Sequence, residues 1–312
     1  MIAIIGQGRM ARAHARAWSN LGLGDDIRYV CARGAQVPLE HARSARFVTD
    51  LDVVLADPEV SVVSVCTPTP THADIAIRSL RAGKNVLLEK PIALTLPDAL
   101  AIRDAASEGT GVLMVAHVVR FFPGYRALAQ DAENGAFGRP IAVRARRISA
   151  SGERKPWMRD EAQSGGMLVD FAIHDFDQVN LYLGDPVAVT AVRASAPGPA
   201  GTVAVESTVE YRDGGIGQVL TCLSMPAGTP FTSSVELLGT GGLADYRFSD
   251  TSPTDIAVDD PYTLQAEYFL GCVNAGTPPA LCPVDAAIAA LSVALAARSA
   301  LATGTRTRVP PA

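Results

Sequence analysis

The chain has few of the features that mark a disulfide scaffold, a zinc module, a nucleic-acid binder or a membrane protein. Its 312 residues include five cysteines, Cys31, Cys66, Cys222, Cys272 and Cys282. Their number is odd and no two form a C-x-x-C pair, which argues against a disulfide framework or a structural zinc site and points to a reducing cytoplasm. Basic residues are not in surplus: 27 Lys plus Arg stand against 32 Asp plus Glu, for a net charge of -5. Nucleic acid, which calls for a basic face, is therefore not an expected partner. Long apolar runs are missing too. The longest clean one, Ala286 to Ala297, is closed by Arg298, well short of the ~20 residues of a spanning helix. The opening MIAIIG has no basic leader and too short an apolar stretch for a signal peptide, so it reads as a buried first strand. Internal repeats and low-complexity tracts are also missing. What is present, 48% hydrophobic and 19% charged residues, suits a compact globular fold. At roughly 150 residues per domain the length suggests two domains.

The first ~120 residues alternate short apolar runs with helical patterns, the signature of a parallel sheet with crossover helices. Strands are expected at 2–5, 27–32, 53–55, 60–66, 85–88 and 112–119, and helices at 10–21, 39–44, 72–82 and 96–108. Gly83 stands where a helix C-terminus wants glycine, and Pro97 sits in a first helical turn. After Pro123 the rhythm changes. A helix is expected over 125–134, a strand over 141–148, then a loop, then one helix from about 166 to 183. From 187 to 258 the pattern is mostly strand, in the segments VAVTAVRAS, VAVESTVEYR, IGQVLTCLS, SSVELLG and LADYRFS, with turns such as 196-APGPAG-201 and 226-PAGTP-230. Consecutive strands joined by short turns imply an antiparallel sheet. Helices at 261–275 and 284–303 close the chain. The fold class is thus α/β, with a doubly wound parallel sheet and a second α/β domain holding a largely antiparallel sheet. The expected domains are 1–121 and 122–312, with the helix at about 284–303 a candidate to pack back on the first.

Residues 6-GQGRMA-11 follow the first strand and open a helix. Gly6 permits the tight turn, Gly8 lets the backbone approach a pyrophosphate, and Ala11 stands where a third glycine would allow close helix packing. The helix amino terminus then offers free N–H groups to phosphate. Gly6, Gly8, Arg9 and Met10 are the candidate cofactor residues of this loop. An NAD site usually carries an acid at the end of the second strand to accept from the ribose 2′-OH. Here Ala32 and then Arg33 occupy that place. A guanidinium pairs with a 2′-phosphate, so NADP is the preferred cofactor and NAD the alternative.

Three further segments, 66-CTPTPTH-72, 86-VLLEKPIALT-95 and 165-GGMLVDFAIHDFD-177, join the glycine loop. Together with 117-HVVRFFP-123 and 138-GRP-140 they make the chain resemble the Gfo/Idh/MocA oxidoreductase family over about residues 1 to 185. The resemblance implies a Rossmann domain, a carboxyl-terminal α/β domain with an open sheet, and a homodimer or homotetramer. It also implies hydride exchange between NAD(P) and a sugar, cyclitol or related small substrate. The family's D-x-G-x-H helix is met here by Phe171-Ala172 between Asp170 and His174, and Ala172 is small enough to leave the backbone unchanged. By the same analogy Glu89 contacts the cofactor ribose, and Thr67 and Pro68 pass near the adenine-ribose and nicotinamide side. His72 opens the following helix at that edge.

A hydride cannot leave a hydroxyl-bearing carbon unless the O–H proton leaves too, so the site needs a base near neutral pH and a cation for the developing alkoxide. His174 suits the first task, with an unperturbed pKa of ~6.5, and Lys90 the second. Asp170, one helical turn before His174, shares its face and can fix the imidazole tautomer. These three are the candidate catalytic and substrate-contacting residues. Arg120 and Trp157 are further substrate candidates, because arginine is seldom buried unpaired and Trp157 lies in a polar loop. His14, among alanines on the first helix, reads as structural. A metal is not expected, since Asp175 and Asp177 lie on different faces from one another. A glycosidase with internally recycled NAD, and a non-catalytic NAD(P)-binding regulator, are the other functions open at this point. The isomer of the Lys90–Pro91 bond is open as well.

Overall fold

The computed structural model describes residues 1–150, 156–196, 203–251 and 260–312. The chain divides into two compact units, Met1–Phe121 with Asp259–Asp285, and Phe122–Val258 with Ala286–Ala312.

The first unit is built on a six-stranded sheet in the order β3-β2-β1-β4-β5-β6. Its strands are β1 (Ile2–Ile5), β2 (Ile27–Cys31), β3 (Arg46–Val48), β4 (Val62–Val65), β5 (Asn85–Glu89) and β6 (Leu113–Ala116). Every pairing is parallel. Strands β1, β4 and β6 are buried at every residue, which explains their almost wholly apolar sequences: a parallel sheet is covered on both faces, and the one polar side chain, Ser64, accepts from the Trp18 indole N–H. The strand order reverses between β1 and β4, and such a switch point opens a crevice at the carboxyl ends of the strands.

Two expectations fail here. The apolar run at 53–55 is not a strand but part of the helix Leu51–Leu55, whose N-cap Asp50 accepts from the Asp52 N–H. The segment 39–44 forms no helix. Its Ala42 and Ala45 N–H groups make i→i+3 bonds to Leu39 and Ala42, single turns too short to nucleate a helix. The chain then runs into the edge strand β3, which pairs with β2.

The core of this unit, around Ile4, Trp18, Leu87, Met114 and Phe121, also takes in Ala266, Phe269 and Cys282. The helix Pro261–Ala275 packs on the helix Arg9–Asn20, and Asn20 Nδ2 donates to Thr263 Oγ1 at 3.0 Å. Residues 259–285 thus join the first unit, beyond the expected span of 1–121. Pro261–Ala275 packs there through the buried face of Gln265, Ala266, Phe269 and Cys272, and Ala286–Ala312 are part of the second unit.

The second unit holds a seven-stranded sheet in the order β12-β11-β7-β10-β9-β8-β13. The strands are β7 (Pro140–Ala150), β8 (Pro186–Ser195), β9 (Val203–Tyr211), β10 (Ile216–Met225), β11 (Thr232–Gly239), β12 (Gly242–Ser249) and β13 (Thr307–Arg308). All neighbours are antiparallel except β7 and β10, because β7 inserts between two strands that follow it in the chain. One face is covered by the helix Ile173–Leu183, which packs on β7 and β10. Val219 lies on that covered face, not the opposite one as its pattern suggests. It is 1% exposed and pairs with Ala145 and Ser207, which are also buried. Leu238 does face outward, 43% exposed, as do Val192 and Leu243. The expected turn at 196–201 lies largely outside the described residues, as does the start of the loop after β7.

Among the described residues Val284–Thr303 is the one helix long and apolar enough to cross a membrane, yet 56% of its most apolar 18-residue stretch is buried inside the protein, as in a core helix.

Candidate active site

In the first unit the candidate residues gather at the carboxyl edge of the parallel sheet. After β1, Gly6 turns the chain at φ +118, and a Cβ there would stand 2.5 Å from the Cys66 carbonyl oxygen. Only glycine lets this loop lie against the end of β4. Gly8 is the N-cap of the helix Arg9–Asn20, whose first turn has no capping side chain and no acidic residue. Its N–H groups and the positive end of the helix dipole suit a pyrophosphate. The cradle fits the NAD(P) cofactor: Gly6, Gly8 and the backbone of Arg9 and Met10 would hold the phosphates. Gln7 ties this loop to the stretch after β2, accepting from the Val37 N–H at 2.9 Å and donating to the Ala35 carbonyl at 3.1 Å. Ala32 is half-buried and Arg33 exposed, with no carboxylate between residues 32 and 38.

The loop after β4 is drawn in by its own hydroxyls. The Thr71 hydroxyl lies 2.7 Å from Thr67 Oγ1 and 2.8 Å from the Pro68 carbonyl. Pro68 is exposed. His72, expected near the cofactor, is instead turned inward and 1% exposed. Its Nδ1 lies 2.8 Å from the Pro91 carbonyl and its Nε2 3.0 Å from the Thr67 carbonyl. Burial lowers its pKa, against the pull of those two carbonyls. The ring spans the loop after β4 and the chain after β5.

Glu89, expected at the cofactor ribose, is also held within the unit. At the end of β5 it is 5% exposed, and its carboxylate is engaged within the unit. Oε1 lies 2.9 Å from His14 Nε2, and Oε2 accepts from the Lys90 N–H at 3.3 Å. Lys90 itself is half-buried, and its bond to Pro91 is cis. His14, missed by sequence reading as a site residue, is 2% exposed. Burial opposes its charge, but the Cys66 thiol and the Glu89 carboxylate outweigh burial and raise its pKa to about 10. Its signal was present in the spacing: three residues after Ala11 it shares the inward face with Ala11, Ala15 and Trp18. Arg120, expected at the substrate, is half-buried and donates from Nη1 to the Leu281 carbonyl at 2.8 Å, which engages it in the frame of the first unit.

In the second unit the expected single helix over 166–183 is broken in two. Gly165 and Gly166 have positive φ, and Met167–Phe171 form a π-helical turn closed by the Ala172 N–H on the Met167 carbonyl at 2.9 Å. The helix Ile173–Leu183 then starts. Such widened turns recur at functional sites. Asp170 sits half-exposed in the wide turn and His174, 9% exposed, in the first turn of the helix that follows. The next residue, Asp175, is gripped by Arg147 of β7 at 2.9 Å from Nε and 3.0 Å from Nη2. The guanidinium lies 5.7 Å from the Phe171 ring centre and 5.6 Å from that of Phe231. Burial raises the Asp175 pKa and Arg147 works against it. Trp157 is half-buried in the short helix Pro156–Arg159. Among the described residues no cluster of three His, Cys, Asp or Glu side chains is placed to hold a metal ion.

Comparison with known proteins matches residues 1–117 to the "Oxidoreductase family, NAD-binding Rossmann fold" of GFO_IDH_MocA, and residues 125–245 to the GFO/IDH/MocA C-terminal domain. The inositol 2-dehydrogenase of Rhizobium meliloti is 31% identical over 83% of this chain and 79% of its own. The myo-inositol 2-dehydrogenase of Thermotoga maritima is 28% identical over 93% of both. Among solved structures, GenD2 from gentamicin A biosynthesis in complex with NAD superposes with a TM-score of 0.84 at 28% identity, over 99% of this chain and 96% of that one. Levoglucosan dehydrogenase in complex with NADH and L-sorbose shares the fold, with a TM-score of 0.84 at 22% identity over 100% of this chain and 99% of its own.

Proposed function

The chain belongs to the Gfo/Idh/MocA family of NAD(P)-binding oxidoreductases, and from that premise we propose that it oxidises a secondary hydroxyl of a cyclitol or sugar, or reduces the matching ketone. The observation that carries the reading is the uncapped helix amino terminus behind Gly6 and Gly8, at the same sheet edge as Lys90. The inositol dehydrogenase relatives support the substrate class. When bound, the nicotinamide supplies the hydride acceptor or donor. His174 takes the hydroxyl proton as the C–H bond breaks and the C=O bond forms, and returns it in the reverse direction. The Lys90 ammonium stabilises the developing alkoxide. Asp170 orients His174 and adds negative charge that favours its imidazolium. Trp157 and Arg120 are further substrate contacts, Arg120 being steadied by its bond to the Leu281 carbonyl.

A preference for NADP over NAD is part of the proposal and rests on Ala32 and the exposed Arg33, where an acid would repel a 2′-phosphate. Five free, buried cysteines support a reducing cytoplasm as the compartment, and the outward residues of the second sheet support a homodimer or homotetramer. The test is direct. The protein is mixed with NAD or NADP and with myo-inositol, levoglucosan or another polyol, and reduced nicotinamide is followed by absorbance. Turnover of a polyol with either cofactor is expected. Failure of both cofactors to shift the melting temperature would overturn the reading.

A further inference from the structure

Lys90 is not fixed by its own side chain alone. Its backbone N–H donates to Glu89 Oε2 at 3.3 Å, while Glu89 Oε1 is held by His14 Nε2 at 2.9 Å. The two side chains of this pair are 2% and 6% exposed. His14 rises from the helix that the glycine loop opens, and Glu89 ends the strand that delivers Lys90. We propose that His14 is a positioning residue for Lys90, neutralising and aiming the Glu89 carboxylate that holds the lysine's backbone, so that the phosphate-binding helix and the reactive lysine are joined by one buried link. This rests on the reading that Lys90 serves the reaction.

The geometry carries the inference. A buried carboxylate needs a charged or donating partner, and Glu89 has one on each oxygen. The charged and titratable groups facing the pair are few. Cys66 contributes from the end of β4, its thiol pushed up by burial. Tyr262 of the helix Pro261–Ala275 is pushed up to about 12 by burial, with Glu89 adding to the effect. His72 feels both Glu89 and Lys90. Among these, His14 is the group that supplies positive charge to Glu89 from the inside of the unit.

The chain has three lysines, Lys84, Lys90 and Lys155, so reductive methylation with a carbon-13 label gives a short spectrum in which Lys90→Arg assigns the Lys90 signal. With His14→Gln, Glu89 keeps an amide donor but loses its counter-charge. The Lys90 resonance is expected to move from its parent position, with more than tenfold loss of kcat and little change in cofactor Kd. Adding Glu89→Gln to His14→Gln removes the stranded charge and is expected to return the Lys90 resonance toward its parent position. An unshifted Lys90 signal in a folded His14→Gln protein would overturn the proposal, as would an equal shift in the double variant. Lys90→Ala is run beside them on the polyol that turns over. Near-normal turnover there removes Lys90 from the reaction, and the His14 proposal with it. Loss of turnover in Lys90→Ala together with full kcat in His14→Gln removes only the His14 proposal.

Discussion

The His14–Glu89 pair also sets a pH dependence for stability. A group whose pKa is raised on folding stabilises fully below its unfolded value and loses that contribution as pH rises through its folded value. For His14 the window runs from the ordinary 6.5 to about 10. The melting temperature is expected to fall across that window, and His14→Gln should flatten the slope when measured by calorimetry at several pH values. At His174 the expected effect is kinetic. His174→Ala should lower turnover by about 10²–10⁴, the usual share of general acid–base catalysis, and leave cofactor affinity nearly unchanged. Lys90→Ala should be at least as damaging, and the double variant far from additive. Near-normal turnover of His174→Ala over neutral and mildly alkaline pH would move the base to Lys90. For the cofactor, parallel titrations should show tighter NADP than NAD binding, and Arg33→Ala should narrow the gap by about 1–2 kcal/mol if one charge-assisted contact is lost. Equal affinities in the parent would end that idea.

At the scale of elements, the wide turn Met167–Phe171 and the helix Ile173–Leu183 are anchored from below by Arg147 on Asp175. Arg147→Met strands a buried carboxylate and should cost about 3–5 kcal/mol, whereas pairing it with Asp175→Leu should recover most of the loss. The sign with pH can be worked out. Asp175 already has a raised pKa from burial, and without Arg147 it rises further. The single variant therefore gains stability as pH falls toward the ordinary carboxylate range, where the folded form binds the proton first. Denaturant melts at two pH values read this directly. The wide turn was invisible in the sequence because Asp170 and His174 fit a regular helix equally well, and the extra residue is accommodated by backbone bonds that carry no side-chain signature. The glycine loop was legible for the opposite reason, since a positive φ against the Cys66 carbonyl admits only one residue type. Strands β1, β4 and β5 were legible from their largely apolar runs, whereas β3, three residues with an arginine at its start, had no pattern long enough to read.

For the whole molecule, the sheet of the second unit leaves Val192, Leu243, Ile216 and Leu238 between 43% and 69% exposed. Such residues on an open sheet suit an interface between copies of the chain. Light scattering at micromolar concentration should give a multiple of 32.6 kDa, and charged replacements at Val192 and Leu243 should weaken the assembly. A mass near that of one chain would exclude it. Partners for buried faces were the least legible feature of the sequence. The apolar face of 261–275 shows that this helix packs, but periodicity is silent on which surface receives it. The core that receives it begins at the second residue of the chain.

That placement has a consequence for biosynthesis. Ala266, Phe269 and Cys282 complete a core whose other buried members lie before residue 122, so the nucleotide-binding unit cannot close when its own first stretch leaves the ribosome. Protein domains generally fold as units, amino-terminal first, during synthesis. Here the first unit must wait with an open apolar flank until more than a hundred further residues have been translated. Nascent chains arrested at about residue 130 should remain sensitive to protease across the Rossmann sheet, and chains arrested far enough past residue 285 should not.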